Sequence, residues 1–263
     1  MIGVFDSGLG GLSVLRELLQ RAPGFDIHYH ADQARIPWGP RPASELREYC
    51  MRITQALITE GCTHIVVACN TASAVALQSL RQEFPAQTFV GMEPAIKPAA
   101  ALTRSGVIGL MATQATLSGE LLANTSARHA AHLRIASDPC VGLVEAIEDG
   151  DSGVIRNTLQ GIVPPLVEAG ADVLVLGCTH YAFVIEEIRE IAGADVQVVD
   201  AAPAVVSQLI RLAGCKPEQQ SAGVCQLSTS GDVPRFSHRA SKLLQCEIPV
   251  SYTHLRAHET SLH

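Results

Sequence analysis

An α/β fold on parallel sheets is what the amino-acid pattern predicts, and three observations carry that expectation. Short apolar runs alternate with amphipathic stretches of about a dozen residues, the pattern of strands linked by crossover helices. One strand-and-turn segment recurs downstream, its cysteine displaced by 178 − 69 = 109 residues, which points to two related halves. Of the 263 residues, 47% are apolar and 17% charged, enough to build a core and too apolar for a disordered chain. At roughly 150 residues per domain, the length fits one to two domains.

Residues 2–5 form an apolar run and read as the first strand. The turn Asp6-Ser7-Gly8-Leu9-Gly10-Gly11 follows, and Leu12, Leu15, Leu18 and Leu19 then recur at helical spacing. By the same reasoning 26–30 is a strand, 44–60 a helix, 64–68 a strand, 70–84 a helix and 88–92 a strand. After Lys97-Pro98 the rhythm resumes with a strand at 106–111 and a helix at 116–129, and the apolar run 173–176 is a further buried strand.

Charge and cysteine usage exclude several function classes. The net charge of 19 − 26 = −7 lacks the basic field of a nucleic-acid binder. The apolar runs 65–68 and 173–176 are far shorter than the roughly 18 to 20 residues of a membrane span, so neither nucleic acid nor membrane is expected as a partner. The opening Met1-Ile2-Gly3-Val4-Phe5-Asp6 shows no basic region and no signal-peptide core, so a cytoplasmic location is expected. Eight cysteines stand at 50, 62, 69, 140, 178, 215, 225 and 246 without one Cys-x-x-Cys. Neither a disulfide framework nor a metal site is therefore expected, and most of these thiols are packing residues.

The internal repeat singles out two of them. Residues 61–71, Gly-Cys-Thr-His-Ile-Val-Val-Ala-Cys-Asn-Thr, correspond to 170–180, Gly-Ala-Asp-Val-Leu-Val-Leu-Gly-Cys-Thr-His. Each copy runs from a buried strand through a small residue and a cysteine into two polar residues and a helix. Open parallel sheets bind ligands outside the carboxyl ends of their strands, and a helix N-terminus there favours thiolate. An isolated cysteine of this kind is ordinarily packing. Repeated and followed by polar residues, Cys69 and Cys178 are expected to enter one cleft from opposite sides. Two bases on opposite faces of one carbon are what inversion of a stereocentre requires, and a thiol pKa near 8.5 needs only modest lowering to serve.

Rival chemistries fit poorly. Pyridoxal phosphate needs a Schiff-base lysine and a phosphate cup, and the three lysines, at 97, 216 and 242, have no such motif beside them. Gly8-x-Gly10-Gly11 departs from the dinucleotide fingerprint, because this chain has Ser13 where the last glycine belongs, and it lacks a P-loop ending. It reads either as a tight turn or as a loop that brings Asp6, Ser7 and backbone N–H groups to the cleft, where they hold a carboxylate.

Taken together these motifs resemble the cofactor-independent aspartate/glutamate racemase family. The matching segments are Gly3 to Gly11, Ala34-Arg35-Ile36-Pro37-Trp38-Gly39, Ala68-Cys69-Asn70-Thr71-Ala72, Gly91 to Ala99, Ala112-Thr113-x-x-Thr116 and Leu176-Gly177-Cys178-Thr179-His180-Tyr181. The resemblance implies two pseudo-symmetric doubly wound parallel-sheet domains with the active site between them. It places the first at residues 1–95 plus 205–250 and the second at 96–204. It implies interconversion of L- and D-glutamate for peptidoglycan without a cofactor, with a homodimer among the assemblies open to the chain. Cys69 then acts on the D-isomer and Cys178 on the L-isomer, with Asp6 supporting the first thiol and His180 lying near the second. Substrate contacts fall on Asp6, Ser7, Trp38, Gly39, Asn70, Thr71, Thr179 and His180. A racemase of aspartate and a non-catalytic amino-acid-binding module are the other readings.

The chain departs from the family pattern at Trp38, where tyrosine is usual, and at Val141 and Ala182, where proline is usual. Counting from Cys140 places the family's supporting glutamate at Glu148, with Glu145 one turn earlier on the same helix face. Residues 251–263 match nothing in the family and are expected to be an appended tail outside the fold.

Overall fold

The computed structural model describes residues 1–214 and 223–252. Among them ten strands form two sheets, every pairing parallel. The first half supplies β1 (Ile2–Asp6), β2 (Ile27–Ala31), β3 (His64–Val67) and β4 (Thr88–Gly91). The second supplies β5 (Val107–Met111), β6 (Arg134–Asp138), β7 (Val173–Leu176) and β8 (Gln197–Val199). The chain then returns to the first sheet with β9 (Cys225–Thr229) and β10 (Val250–Tyr252).

Strand order is β10-β9-β2-β1-β3-β4 in one sheet and β6-β5-β7-β8 in the other. The four strands of each half are thus wound in the same sequence. β3 and β7 hold equivalent central places, and their starts differ by 173 − 64 = 109 residues, the spacing of the two cysteines.

Helices cover both faces, as parallel strands buried on two sides require. They are α1 (Leu12–Arg21), α2 (Ala43–Thr59), α3 (Asn70–Glu83), α4 (Ile96–Leu102), α5 (Gln114–Leu117), α6 (Glu120–His129), α7 (Leu143–Asp149), α8 (Ser152–Glu168), α9 (Ile185–Ala192), α10 (Ala202–Ala213) and α11 (Val233–Leu244). Alternate strand residues face opposite sides, and the cores follow that alternation. Val4, Val66, Val173 and Val175 point into a core shared by both halves under α1, α10 and α11. Phe5, Ile65 and Val67 face α2 and α3, while Leu174 and Leu176 face α8 and α9. No helix among the described residues is long and apolar enough to cross a membrane.

Three sequence expectations change. The helix at 116–129 is two, α5 and α6, interrupted at Ser118-Gly119, where glycine disfavours continuation. The residues after Cys178 form a 3-10 segment, Thr179–Val184, before α9 begins. Ser251 and Tyr252, placed in the appended tail, belong to β10 and pair with Ser228 and Thr229; residues 253–263 lie outside the described residues.

Asp172, just before β7, ties that strand to the loop leading into β5. Its carboxylate accepts from the Thr103 hydroxyl at 2.6 Å and from the Arg104 and Ser105 N–H groups at 2.7 and 2.9 Å. Partial burial opposes its charge, but these three donors outweigh it and hold the carboxyl at about 2, below its ordinary 3.8. A carboxylate depressed in this way contributes its stability in full above about pH 4 and loses it as pH falls through about 2. Asp172→Asn is expected to destabilise the protein by roughly 1 kcal/mol at pH 7, with the difference shrinking below pH 4 in urea melts; a gap that persists at pH 2 refutes the assignment.

Candidate active site

Both repeated cysteines lie where their strands end. Cys69 follows β3 and caps α3: its Sγ accepts the Ala72 N–H at 3.4 Å, and its S–H points to the Ser7 hydroxyl at 3.9 Å. Cys178 follows β7 with its Sγ 3.7 Å from His180 Nδ1. Each sits at the edge of its own half's core, with 6% and 8% exposure respectively. Both line one cavity of about 340 Å³ between the halves.

Ser7, Trp38, Gly39, Asn70, Thr71, Thr179 and His180 line the same cavity. Asp6 lies directly behind it, fully buried, with Oδ1 accepting the Gly8 N–H at 2.7 Å and Oδ2 the Thr179 hydroxyl at 3.1 Å. Asn70 is 3% exposed, and neither its amide oxygen nor its amide nitrogen has a partner. A buried side-chain amide without partners is costly, and here it borders a cavity where a polar ligand would satisfy it.

Behind Cys178 stands a buried ion pair. His180 Nε2 meets Glu148 Oε1 at 2.6 Å, and Oε1 also accepts the Leu9 N–H at 2.7 Å. Glu145, the alternative partner, is exposed at the cavity rim. Burial opposes charge on His180, but the Cys178 and Glu148 contacts outweigh it and hold the imidazole well above its ordinary 6.5. Burial likewise opposes charge on Glu148, and the His180 bond outweighs it, so that carboxyl lies below 4.5. The pair is therefore ionic, with the imidazolium facing the Cys178 sulfur.

Cys69 differs from the expectation of a lowered thiol pKa. Burial, reinforced by the Asp6 charge, pushes it well above its ordinary value. The Ala72 N–H acts in the opposite sense but does not prevail. Asp6 is itself raised from 3.8 by burial, with the His180 charge and the Gly8 N–H only partly compensating. One thiol thus rests protonated beside an acid, and the other faces a cation.

The glycine-rich turn serves close approach between the halves. A Cβ on Gly8 would collide with Glu148 Oε1, and one on Gly10 with His180 Nδ1 and the Thr179 hydroxyl. Three further residues at the site had no role assigned from the sequence. Thr113 bonds Thr71, hydroxyl to hydroxyl, at 2.8 Å across the cleft; it lies two residues past β5, in the segment Ala112-Thr113-x-x-Thr116 that carries the family resemblance. Gln33 reaches Glu148, and no sequence pattern signals that. Cys140 lines the cavity with a left-handed φ of 49°, but burial raises its thiol too and its S–H goes to the Asp138 carbonyl.

The fold and cleft define a class: a two-halved α/β protein that presents one cysteine from each half to a shared cavity. The family model for Asp/Glu/hydantoin racemases matches residues 11–209, and the chain belongs to that family. It is 47% identical over 253 residues to a glutamate racemase of Roseiflexus sp. (strain RS-1), covering 94% of this chain and 93% of that protein. A solved glutamate racemase isoform from Bacillus anthracis superposes with a TM-score of 0.86 at 29% identity over 97% of each chain. The Escherichia coli glutamate racemase solved with L-glutamate and the activator UDP-MurNAc-ala gives 0.84 at 30% identity, over 95% of this chain and 97% of that one.

The electrostatic contrast is directly measurable. Iodoacetamide at pH 8, followed by peptide mass analysis, should label Cys178 at least about tenfold faster than Cys69, since thiolate is the reacting form and burial with the Asp6 charge withholds it at Cys69. Equal rates would remove the contrast.

Proposed function

We propose that the protein interconverts L- and D-glutamate, with Cys178 removing the α-proton from the L-isomer and Cys69 from the D-isomer. The observation that carries this reading is the convergence of two thiols, one from each half, on a single cavity. Family membership and the glutamate racemases it resembles supply the substrate. In the L-to-D direction the α C–H bond breaks and its proton passes to Cys178 Sγ, while the Cys69 S–H delivers its proton to the opposite face. The sulfurs have then exchanged roles, and exchange with water resets them. A resting Cys69 held in the thiol form suits this donor role.

The remaining roles follow from placement. Asp6 supports Cys69 electrostatically, and Glu148 holds His180 as the charged neighbour of Cys178. Ser7, Asn70, Thr71 and Thr179 supply neutral donors for the substrate carboxylates, and Trp38-Gly39 close one wall. Donors fixed around a developing carbanion stabilise it without reorganising at the moment of reaction. No cofactor takes part in this scheme. The product serves peptidoglycan synthesis in the cytoplasm. Residues 1–95 with 205–250 act as one domain and 96–204 as the other, the cleft opening between them.

Racemisation in D₂O tests the two-base claim. Deuterium should enter the α-carbon of product, with little in recovered substrate at early times, because the original face sees only the sulfur that took its proton. Thermodynamics fixes the overall equilibrium for every variant, so asymmetry belongs in one-way elimination from an analogue with a leaving group at the β-carbon. Cys69→Ser should slow elimination from the D-analogue, and Cys178→Ser from the L-analogue, each by at least about a hundredfold. Early deuterium in substrate, or equal losses for both analogues, indicates a single base. Following aspartate alongside glutamate by circular dichroism separates the two substrates.

A further inference from the structure

Glu148 is held by more than its histidine. Oε1 is occupied by His180 and the Leu9 N–H, and Oε2 accepts the side-chain N–H of Gln33 at 2.8 Å. Gln33 is half-buried and does not line the cavity, so it meets the chemistry only through Glu148.

The turn that carries Gln33 is firmly seated. Gln33 opens a 3-10 segment, Gln33–Arg35, just past β2. The preceding Asp32 donates its N–H to the Asp6 carbonyl at 3.0 Å, and its Oδ1 accepts from Arg35 at 2.5 Å and from Ser230 at 2.8 Å. The Ala34 N–H is bonded to the Ser230 hydroxyl at 3.1 Å. The helix carrying Glu148 is pinned from the same half: Arg239 donates to the Ile147 carbonyl at 2.7 Å, and Arg235 pairs with Asp149 at 2.6 Å. Both ends of the Gln33–Glu148 contact are therefore fixed, although they lie 115 residues apart.

We infer that Gln33 is a positioning residue for the Cys178 side of the reaction, its amide fixing the Glu148 carboxylate so that Oε1 stays aimed at His180. Only a staggered rotor separates the carboxylate from other orientations, and its terminal torsion is broad. A donor on Oε2 locks that torsion. The same N–H selects carboxylate over carboxylic acid, because a protonated Oε2 would set hydrogen against hydrogen. Cys178 then meets an imidazolium whose orientation comes from the opposite half. The effect on turnover rests on the proposed racemisation; the effect on Glu148 itself does not.

The test uses the full-length protein with ¹³C-carboxyl-labelled glutamate, the Glu148 signal being identified by its loss in Glu148→Gln. Gln33→Leu should raise the Glu148 titration midpoint by about one pH unit, the tenfold change expected when a charged acceptor loses one donor. At neutral pH its kcat for glutamate should fall about tenfold with KM within about twofold, since no substrate contact is lost. Gln33→Lys retains a donor of similar reach, so its midpoint should stay at or below that of wild type with kcat within about threefold. If Gln33→Leu does not fold, as judged by far-UV circular dichroism, Gln33→Asn withdraws the amide by one methylene and should give the same rise. An unmoved midpoint, or a KM increase at unchanged kcat, overturns the inference. A wild type that fails to racemise while the midpoint still moves overturns the proposed function and leaves the positioning contact in place.

Discussion

A buried carboxylate at the seam between two halves is the constraint on which this molecule turns. Glu148 is charged, almost inaccessible, and satisfied only by groups from both sides: Leu9 and Gln33 from one, His180 from the other. A buried ion that loses one partner is destabilising by about 3–5 kcal/mol, so the halves must meet closely and in one register. That requirement explains the β1–α1 turn. Any side chain at Gly8 or Gly10 would stand where the Glu148, His180 and Thr179 side chains must sit. Asp6–Thr179 and Thr71–Thr113 join the halves at further points around the same cavity.

Repetition supplies the geometry and divergence supplies the charge. β3 and β7 deliver a cysteine from the same place in the same strand order, which two halves facing each other convert into opposed thiols. After the cysteine the copies part. Asn70-Thr71 open a regular α-helix whose first turn is capped by Cys69 itself. Thr179-His180 open a tighter 3-10 segment that folds the imidazole back toward Cys178. One sulfur thus has an acid for a neighbour and the other a cation, although their backbones begin alike.

Legibility in the sequence followed the same division. Strand alternation and the repeat were readable because a buried parallel strand demands a continuous apolar run, and few other elements do. Cys69 and Cys178 were readable because they recur at strand ends before polar pairs. Glu148 was reached only by counting along a family pattern, with Glu145 as an equally spaced neighbour; the difference between them, one buried against His180 and one exposed at the rim, is tertiary. Gln33 left no mark at all, since a lone glutamine in a loop reads as solvated surface. The thiol pKa was misjudged for a related reason. A helix N-terminus is visible in sequence and favours thiolate, whereas the burial that outweighs it at Cys69 appears only once both halves are packed.

Burial also decides what such a cleft does well. Among the described residues, no lysine or arginine lines the cavity; apart from His180, its donors are neutral amides, hydroxyls and backbone N–H groups. A flexible cation would bind a dicarboxylate strongly before any proton moved, and interactions equally strong in ground and transition states do not accelerate the chemical step. Neutral donors fixed on buried side chains strengthen as charge develops beside them, because a low dielectric screens them less than water does. Burial raises Cys69 and Asp6, which keeps the Cys69 thiol protonated on one face of the cavity. Among the described residues lining the cavity, the one positive charge, on His180, lies behind the other sulfur. Closure around a buried carboxylate therefore does more than hold the halves together: it sets a thiol held in its protonated form on one face of the cavity and an imidazolium behind the sulfur on the other.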